Sequence, residues 1–263
     1  MATTASRPIW KGMISFGLVS IPVRLFTGAV SKDITFNELA REDHSRLKRV
    51  RWSPTLNREI TQEEVVKGYE YAKGQYVELT EEDFEKLPVP SKQTITITAF
   101  VRSEEIDPVF FETPYALEAE EMGLKPFALF FRALEEKGMV AIGKIAIRKK
   151  EQLCAIRVSG GNLFMSTLYY PDELRVDLAK AGPNVDVSEA ELKMAEALID
   201  MLTTSFDPEQ YKDEYREQLM GLIQAKLEGK EVVSSPEAAP QVMDLMEALR
   251  ASLAEAERQR EAG

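Results

Sequence analysis

Cysteine and histidine are almost missing from this chain, which has one of each, Cys154 and His44, among its 263 residues. A disulfide within one chain needs two cysteines, and zinc sites and His-dependent catalytic triads need histidine or cysteine partners. No phosphate-binding P-loop and no G-x-S-x-G motif occurs either. We therefore expect no catalytic residues, no metal site and no cofactor, so the chain is not expected to be an enzyme. Cys154 lies in an apolar run and is expected to be a small buried side chain, and His44 a surface or loop residue.

Long apolar runs are also missing, because no stretch approaches the roughly 18 residues that a membrane helix needs. The N-terminus lacks a charged region followed by an apolar core and a cleavage site. We expect no membrane partner and a cytoplasmic location. With 44% hydrophobic residues, the chain can bury one sizeable core or two modest ones.

Positive charge is concentrated in two places, although the net charge is −11. Residues 1 to 58 contain ten basic and four acidic residues, a net charge of +6. Residues 139 to 157 contain five basic residues and one acidic residue, a net charge of +4. These clusters are compatible with a confined nucleic-acid surface, but on the residue pattern alone ordinary solvated faces are the preferred interpretation.

The residue pattern predicts a mixed β+α fold. Trp10 to Phe26 alternates as a β-strand does, and a β-branched run follows at 94 to 101. A helix is predicted from Pro126 to Gly138, and three strands after it complete a β-barrel, at about 139 to 147, 152 to 159 and 163 to 170. Capping boxes at Thr61/Glu64 and Ser188/Glu191 predict the starts of further helices.

A final amphipathic helix follows a linker rich in Ser, Pro and Ala. Two interpretations are open: the helix folds back on the core, or it offers its apolar stripe to a partner. The partner interpretation is preferred because short isolated helices are marginal. The stripe consists of Val242, Leu245, Met246, Leu249 and Leu253.

Four strings in this order resemble the bacterial Ku proteins, the DNA-end-binding factors of non-homologous end joining. They are W-K-G-x-I-S-F-G-L-V-x-I-P-V from Trp10, V-V-K-G-Y-E-Y from Val65, Y-V-E-L-T-E-E-D-F from Tyr76, and the helical stretch from Glu191 to Lys226. Many Ku proteins have a C-x-x-C pair between the first two strings. This chain has none, so a metal or redox role of that pair does not carry over.

The resemblance implies a Ku-like β-barrel with a long DNA-encircling insertion and C-terminal helices. Residues 1–229 would form the Ku core, with the insertion at about 28–90 and the helices at about 188–228. Residues 230–263 would be a linker and a helix that recruits a ligase. The implied partners are a second copy of the chain, double-stranded DNA ends and the ATP-dependent DNA ligase D, and the implied location is on the nucleoid. Some relatives continue into a Lys-rich tail, but residues 230–263 of this chain carry four basic and seven acidic residues, so we do not expect this segment to bind DNA in that way.

The insertion is expected to carry the DNA-facing cations, because ends without a common sequence must be bound through phosphates. The alternative to DNA binding is that the chain is an interaction module for another protein. The first candidates for DNA binding are Arg46, Lys48, Arg49 and Arg51, followed by Arg24, Lys32, Arg148, Lys149 and Lys150.

Overall fold

The computed structural model describes residues 7–87, 93–147, 150–175, 185–229 and 244–262, without the side chains of 259–262. It divides into two compact units, residues 1–178 and 179–263, which are described separately. None of the described helices is long and apolar enough to cross a membrane.

The first unit is built on a closed barrel of seven strands, which confirms the predicted barrel. The strands are β1 (Trp10–Phe16), β2 (Val19–Thr27), β7 (Thr94–Arg102), β8 (Phe111–Ala119), β9 (Met139–Ile147), β10 (Lys150–Ser159) and β11 (Asn162–Leu168); strands 3 to 6 lie in the insertion described below. Around the barrel they follow the order β1-β2-β8-β11-β10-β9-β7. Within this barrel β1 and β7 run parallel, and the other neighbouring strands are antiparallel.

The main core forms because alternate residues of these strands point inward. Ile14, Ile95, Ile156 and Met165 are fully buried in one cluster. Helix α2 (Leu124–Lys137) adds Phe130 to the same core, and the Phe130 ring lies 5.2 Å from the Phe16 ring. Gly138 ends α2 with a left-handed φ of 61°, as its place after the helix predicts.

The opening stretch is two strands and not the single strand that its alternation predicts. Gly17 has a φ of 58°, a conformation that glycine adopts readily, and it forms a tight turn with the fully exposed Leu18. The chain then returns antiparallel, so that Ile21, Val23 and Leu25 point into the core. This reversal is not visible in the sequence, because both strands are partly buried and their apolar residues form one continuous run.

Proline starts a short 3₁₀ turn ahead of two elements. Pro108–Phe110 is such a turn, and β8 begins directly after it at Phe111. Pro208–Gln210 is another, and the next helix begins at Glu214, where the Asp213 side chain caps it.

The insertion between β2 and β7 has no buried residue in its described part, residues 28–87. It contains two small hairpins and one short helix, and its capping boxes at Thr61/Glu64 and Thr80/Asp83 are present. The elements are β3 (Trp52–Ser53), β4 (Arg58–Glu59), a 3₁₀ turn (Gln62–Glu64), β5 (Lys67–Ala72), β6 (Gln75–Leu79) and α1 (Glu81–Lys86).

The second unit consists of helices α3 (Glu189–Leu202), α4 (Glu214–Leu227) and α5 (Leu245–Ala262). The predicted capping box of Ser188 and Glu191 begins α3. Helix α5 contacts α3. No described side chain of this unit is buried, although α3 alone exposes Leu192, Ile199 and Leu202.

Candidate nucleic-acid interface

The predicted cations of the insertion lie on an exposed loop, residues 41–51, which we call the basic loop. His44, with a left-handed φ of 55°, makes its turn, and the His44 amide donates to the Ala40 carbonyl over 2.9 Å. The Asp43 side chain accepts from the Ser45 amide over 2.9 Å, and this bond lowers the pKa of Asp43. A bridge between Leu39 and Arg46 closes the turn. His44 is therefore an exposed loop residue, as predicted.

The four candidate cations of the basic loop, Arg46, Lys48, Arg49 and Arg51, differ in what they bind within the chain. Arg49 donates to Glu38 over 3.1 Å, although 87% of its side chain is exposed. Arg51 donates to the Gln62 side chain. Arg46 and Lys48 have neither an ion pair nor a side-chain hydrogen bond within the described residues, and both are exposed. Of these four candidates, Arg46 and Lys48 are thus the most available to an anionic ligand.

The segment after the basic loop is held by an internal ion pair. Arg58 and Glu64 lie 2.6 Å apart, and Glu64 also accepts from the Thr61 amide over 3.0 Å. The hydrogen bond from Arg58 is the main reason that the pKa of Glu64 falls to about 2. Arg58 is thereby engaged inside the chain.

The remaining described candidates differ from the basic loop in position or pairing. Arg24, on β2, lies 3.4 Å from Glu118 on β8 and is half-buried. Lys150, at the start of β10, lies 3.1 Å from Glu173, which raises the pKa of Lys150. Lys32 is exposed, five residues after the end of β2. Arg148 and Lys149 lie outside the described residues. Arg24 and Lys150 therefore occupy paired positions on the barrel wall, apart from the basic loop in sequence and in element.

Two cavities in the barrel unit contain no evident reactive centre. One, of about 460 Å³, lies beside α2 and is lined by apolar side chains that include Phe16, Phe100 and Met139. The other, of about 260 Å³, is lined in part by Glu112, which accepts from the Thr167 hydroxyl over 2.9 Å. The same hydroxyl accepts from the Thr113 amide over 3.2 Å, so this polar group links β11 to β8.

Groups of three or more potential metal ligands are not found in the described part of the chain. Cys154 is fully buried, and burial raises the pKa of its thiol to about 12. The thiol therefore stays protonated at neutral pH. The prediction of a buried cysteine is confirmed.

Exposed aromatic side chains are a feature that the sequence patterns did not assign to a surface. Tyr69, Tyr71 and Tyr76 stand exposed on the β5–β6 hairpin. Phe206 and Tyr211, in the second unit, stack on each other with ring centres 5.7 Å apart, and both are exposed. The exposed surfaces could have been predicted from one feature of the sequence, the high density of aromatic residues in short polar segments.

The proposed ligase-binding stripe lies on α5. Leu245 is 59% exposed, whereas Met246, Leu249 and Leu253 are half-buried on a helix that contacts α3. Val242 lies outside the described residues. The helix thus contacts another helix of its own unit and still exposes the first leucine of the stripe.

Comparison with known proteins agrees with this geometry. Residues 15–194 match the family model of the Ku70/Ku80 beta-barrel domain. A protein of Symbiobacterium thermophilum named "Non-homologous end joining protein Ku" is 46% identical over 98% of this chain and 65% of its own length. A protein of the same name from Heliobacterium modesticaldum is 43% identical over 94% of this chain and 91% of its own length. Another, from Bacillus subtilis, is 39% identical over 93% of this chain and 81% of its own length. The chain thus spans just under two thirds of the Symbiobacterium relative, and nearly all of the Heliobacterium one. A closed seven-stranded barrel that matches the family model, together with these identities, shows that the chain belongs to the Ku family.

Proposed function

We propose that this protein binds the ends of double-stranded DNA without regard to sequence, as a ring-shaped homodimer that acts in non-homologous end joining. The observation that carries the proposal is the basic loop, an exposed cationic segment in the insertion of a Ku-family barrel. The names of the relatives, all "Non-homologous end joining protein Ku", support the pathway.

Phosphate contacts suit this task because DNA ends share no sequence that base-edge contacts could read. The described part of the insertion up to Arg58, residues 28–58, carries seven basic and four acidic residues, a net charge of +3 on a chain of net charge −11. The acidic remainder of the surface repels DNA, which confines binding to the cationic segment. Arg46 and Lys48 would make the first phosphate contacts.

A homodimer is supported by the apolar surface that the single chain leaves uncovered. An amphipathic helix gains most of its stability from packing its apolar face, yet α3 and α4 have no buried residue. The exposed side chains on these two helices include Leu192, Ile199, Leu202, Tyr215 and Met220. A second copy of the chain would bury these exposed side chains of α3 and α4.

A ring explains selectivity for ends. If two insertions enclose the duplex, only a free end can be threaded, and a DNA without ends is excluded whatever its sequence. Selectivity then comes from topology and affinity from phosphates. No chemical step by the protein is required, so the function is binding and recruitment.

Recruitment of an ATP-dependent DNA ligase would use α5, with Leu245 as its most exposed apolar contact. Replacing Leu245 by Glu places a charge on this surface at a solvent-facing position, where the fold tolerates it. Stimulation of the ligase should fall while binding to DNA ends is unchanged. Leu227→Glu, at a leucine that ends α4 and is 77% exposed against 59% for Leu245, is the control. Equal ligase stimulation by both variants would remove α5 from the interface.

The proposed function is tested by a mobility-shift comparison of one duplex in two forms, linear and covalently closed. Binding to the linear form of any sequence, without binding to the circle, is expected. Equal binding to both forms would refute end threading. Binding to neither would favour the alternative function, a scaffold for another protein.

A further inference from the structure

An open apolar groove lies between helix α2 and three strands of the barrel, β1, β7 and β9. This groove is the cavity of about 460 Å³ beside α2. On the strand side it is lined by Phe16, Phe100 and Met139, one residue from each strand. The Phe16 and Phe100 rings meet edge to face with their centres 6.4 Å apart, and Phe100 is 47% exposed. The folded barrel therefore presents a preformed apolar surface to solvent.

The helix side of the groove is a single row of residues. Leu129, Ala133 and Lys137 follow each other at intervals of four, so they lie on one face of α2. The row spans about 12 Å, at roughly 1.5 Å per residue. Leu129 is 69% exposed, and the small side chain of Ala133 leaves room in the middle of the row. The groove thus has the length of about four extended residues or about two helical turns.

Positive charge is placed at one end of the groove. Lys137 is the charged residue among the described side chains that line it. Arg102, the last residue of β7, stands opposite Met139 in the β7–β9 register and so lies at the same end. Both cations are exposed, and neither forms an ion pair within the described residues. The Glu105 carboxylate, close to Arg102 in sequence, accepts from the Arg102 amide over 2.7 Å.

These features favour a short linear segment of another protein as the occupant. Stable contacts between folded chains bury roughly 1,200 Å² or more, far beyond what a groove of this length provides, so a second copy of the chain is a poor occupant. The apolar anchors of a peptide fill such a groove. The cations at one end call for a carboxylate on that peptide, because opposite charges across an interface fix the register of binding and like charges are costly.

We propose that this groove binds a segment of a partner protein in which an apolar anchor and an Asp or Glu lie within about four residues of each other. A Leu, Ile or Phe anchor contacts Phe16 and Phe100, and the carboxylate reaches Lys137. The groove belongs to elements that carry neither the basic loop nor the stripe of α5. The site is therefore additional to the proposed DNA and ligase contacts and does not depend on them.

Selection from random peptides displayed on phage tests the proposal, with the full-length protein as the target. We expect the enriched peptides to share an apolar anchor and an acidic residue within about four positions of it. Each enriched peptide is synthesised with a fluorescent label, and its affinity for the protein is measured by anisotropy. A selection that enriches no peptide, or only peptides without an acidic residue, would overturn the proposal.

Two exposed alanines of α2 provide a matched pair of variants. Ala133→Tyr fills the middle of the groove, whereas Ala128→Tyr adds the same side chain at a position that does not line it. Ala133→Tyr should weaken binding of the enriched peptides by about tenfold or more, and Ala128→Tyr should leave their affinity unchanged. Equal affinities for the two variants would place the peptides elsewhere on the protein and refute the site.

Two lysines of α2 test the carboxylate contact in the same way. Lys137→Glu reverses the charge at the end of the groove, and Lys125→Glu makes the same change at an exposed position outside it. Lys137→Glu should weaken peptide binding, and more strongly at low salt than at high salt, because salt screens exposed charges. An equal response of the peptide affinity to both variants would contradict the contact with Lys137.

Sedimentation and DNA binding of Ala133→Tyr separate this site from the proposed function. The variant should keep the oligomeric state of the wild type and its affinity for DNA ends, because the groove contains no residue of the basic loop. Dissociation of a wild-type homodimer by Ala133→Tyr would mean that a second copy covers the groove, and it would overturn the peptide site. Failure of the wild type to bind DNA ends, with peptide binding that Ala133→Tyr abolishes, would refute the proposed function and support the groove.

Discussion

Residues of the same charge differ in how free they are to bind a phosphate. Arg46 and Lys48 of the basic loop have no acidic neighbour within bonding distance in the described structure, whereas Arg49 lies 3.1 Å from Glu38. Exposed ion pairs are weak, so Arg49 can exchange Glu38 for DNA at small cost. Arg24 is half-buried beside Glu118 and has less freedom to do so.

Replacing Arg46 and Lys48 together by Ala should weaken binding to every DNA sequence alike. The slope of log affinity against log salt should fall by about 0.9 for each phosphate that the protein no longer neutralises. Affinities measured by fluorescence anisotropy at several salt concentrations give this slope. The control is the double variant Lys125→Ala and Arg132→Ala, which removes one Lys and one Arg from exposed positions on α2. An equal slope in both double variants would remove the basic loop from the DNA surface.

Cys154 should resist thiol reagents in the folded protein. Its thiol is fully buried with a pKa of about 12, so at pH 8 an aromatic disulfide reagent should modify it only after unfolding. Because folding raises this pKa from 9.0, the folded state holds the proton more tightly. The proton on the Cys154 thiol therefore stabilises the folded state fully below about pH 9, and this contribution to the free energy of unfolding is lost as the pH rises toward 12. Between pH 9 and 12 the free energy of unfolding of the wild type should therefore fall relative to that of Cys154→Ala. Rapid labelling of the thiol in the folded protein at pH 8 would contradict this account.

At the scale of elements, the regular strands and helices are predictable and the reversals are not. The strand at 139–147, helix α2 with its closing Gly138 and the capping box of α3 follow from local periodicity and cap chemistry. The turn at Gly17 escapes prediction because glycine in an apolar run also fits a strand. In the insertion, capping boxes and the basic stretch are visible in sequence. Arg58 is paired with Glu64, six residues further along, and Arg46 has no side-chain partner among the described residues; this difference depends on side-chain geometry and is not visible in the sequence.

The barrel should tolerate changes at its turn and not at its wall. Ile156, fully buried on β10, loses packed methyl groups in Ile156→Ala, and we expect a cost of about 2–5 kcal/mol. Leu18→Ala, at the exposed turn between β1 and β2, should change stability by less than about 0.5 kcal/mol. Urea unfolding followed by tryptophan fluorescence measures both. Similar costs for the two variants would contradict the assignment of inside and outside in this barrel.

The whole molecule combines a cationic insertion with an acidic body and with apolar helices that lack cover. The net charge of −11 describes none of these surfaces, because the basic residues are concentrated in a few segments. Sequence comparison identifies the family, and the uncovered faces of α3, α4 and the β5–β6 hairpin are visible only once the chain is folded. The uncovered faces of α3 and α4 support the proposed homodimer.

Topological trapping tests the ring most directly. The protein is loaded on linear duplex, the DNA is then closed into a circle by an added ligase, and the salt concentration is raised to a level at which linear DNA loses the protein. A ring should stay on the circle and leave as soon as a restriction enzyme cuts it, and a circle closed before the protein is added should capture none. Loss of the protein from trapped circles at the same salt concentration as from linear DNA would contradict the ring.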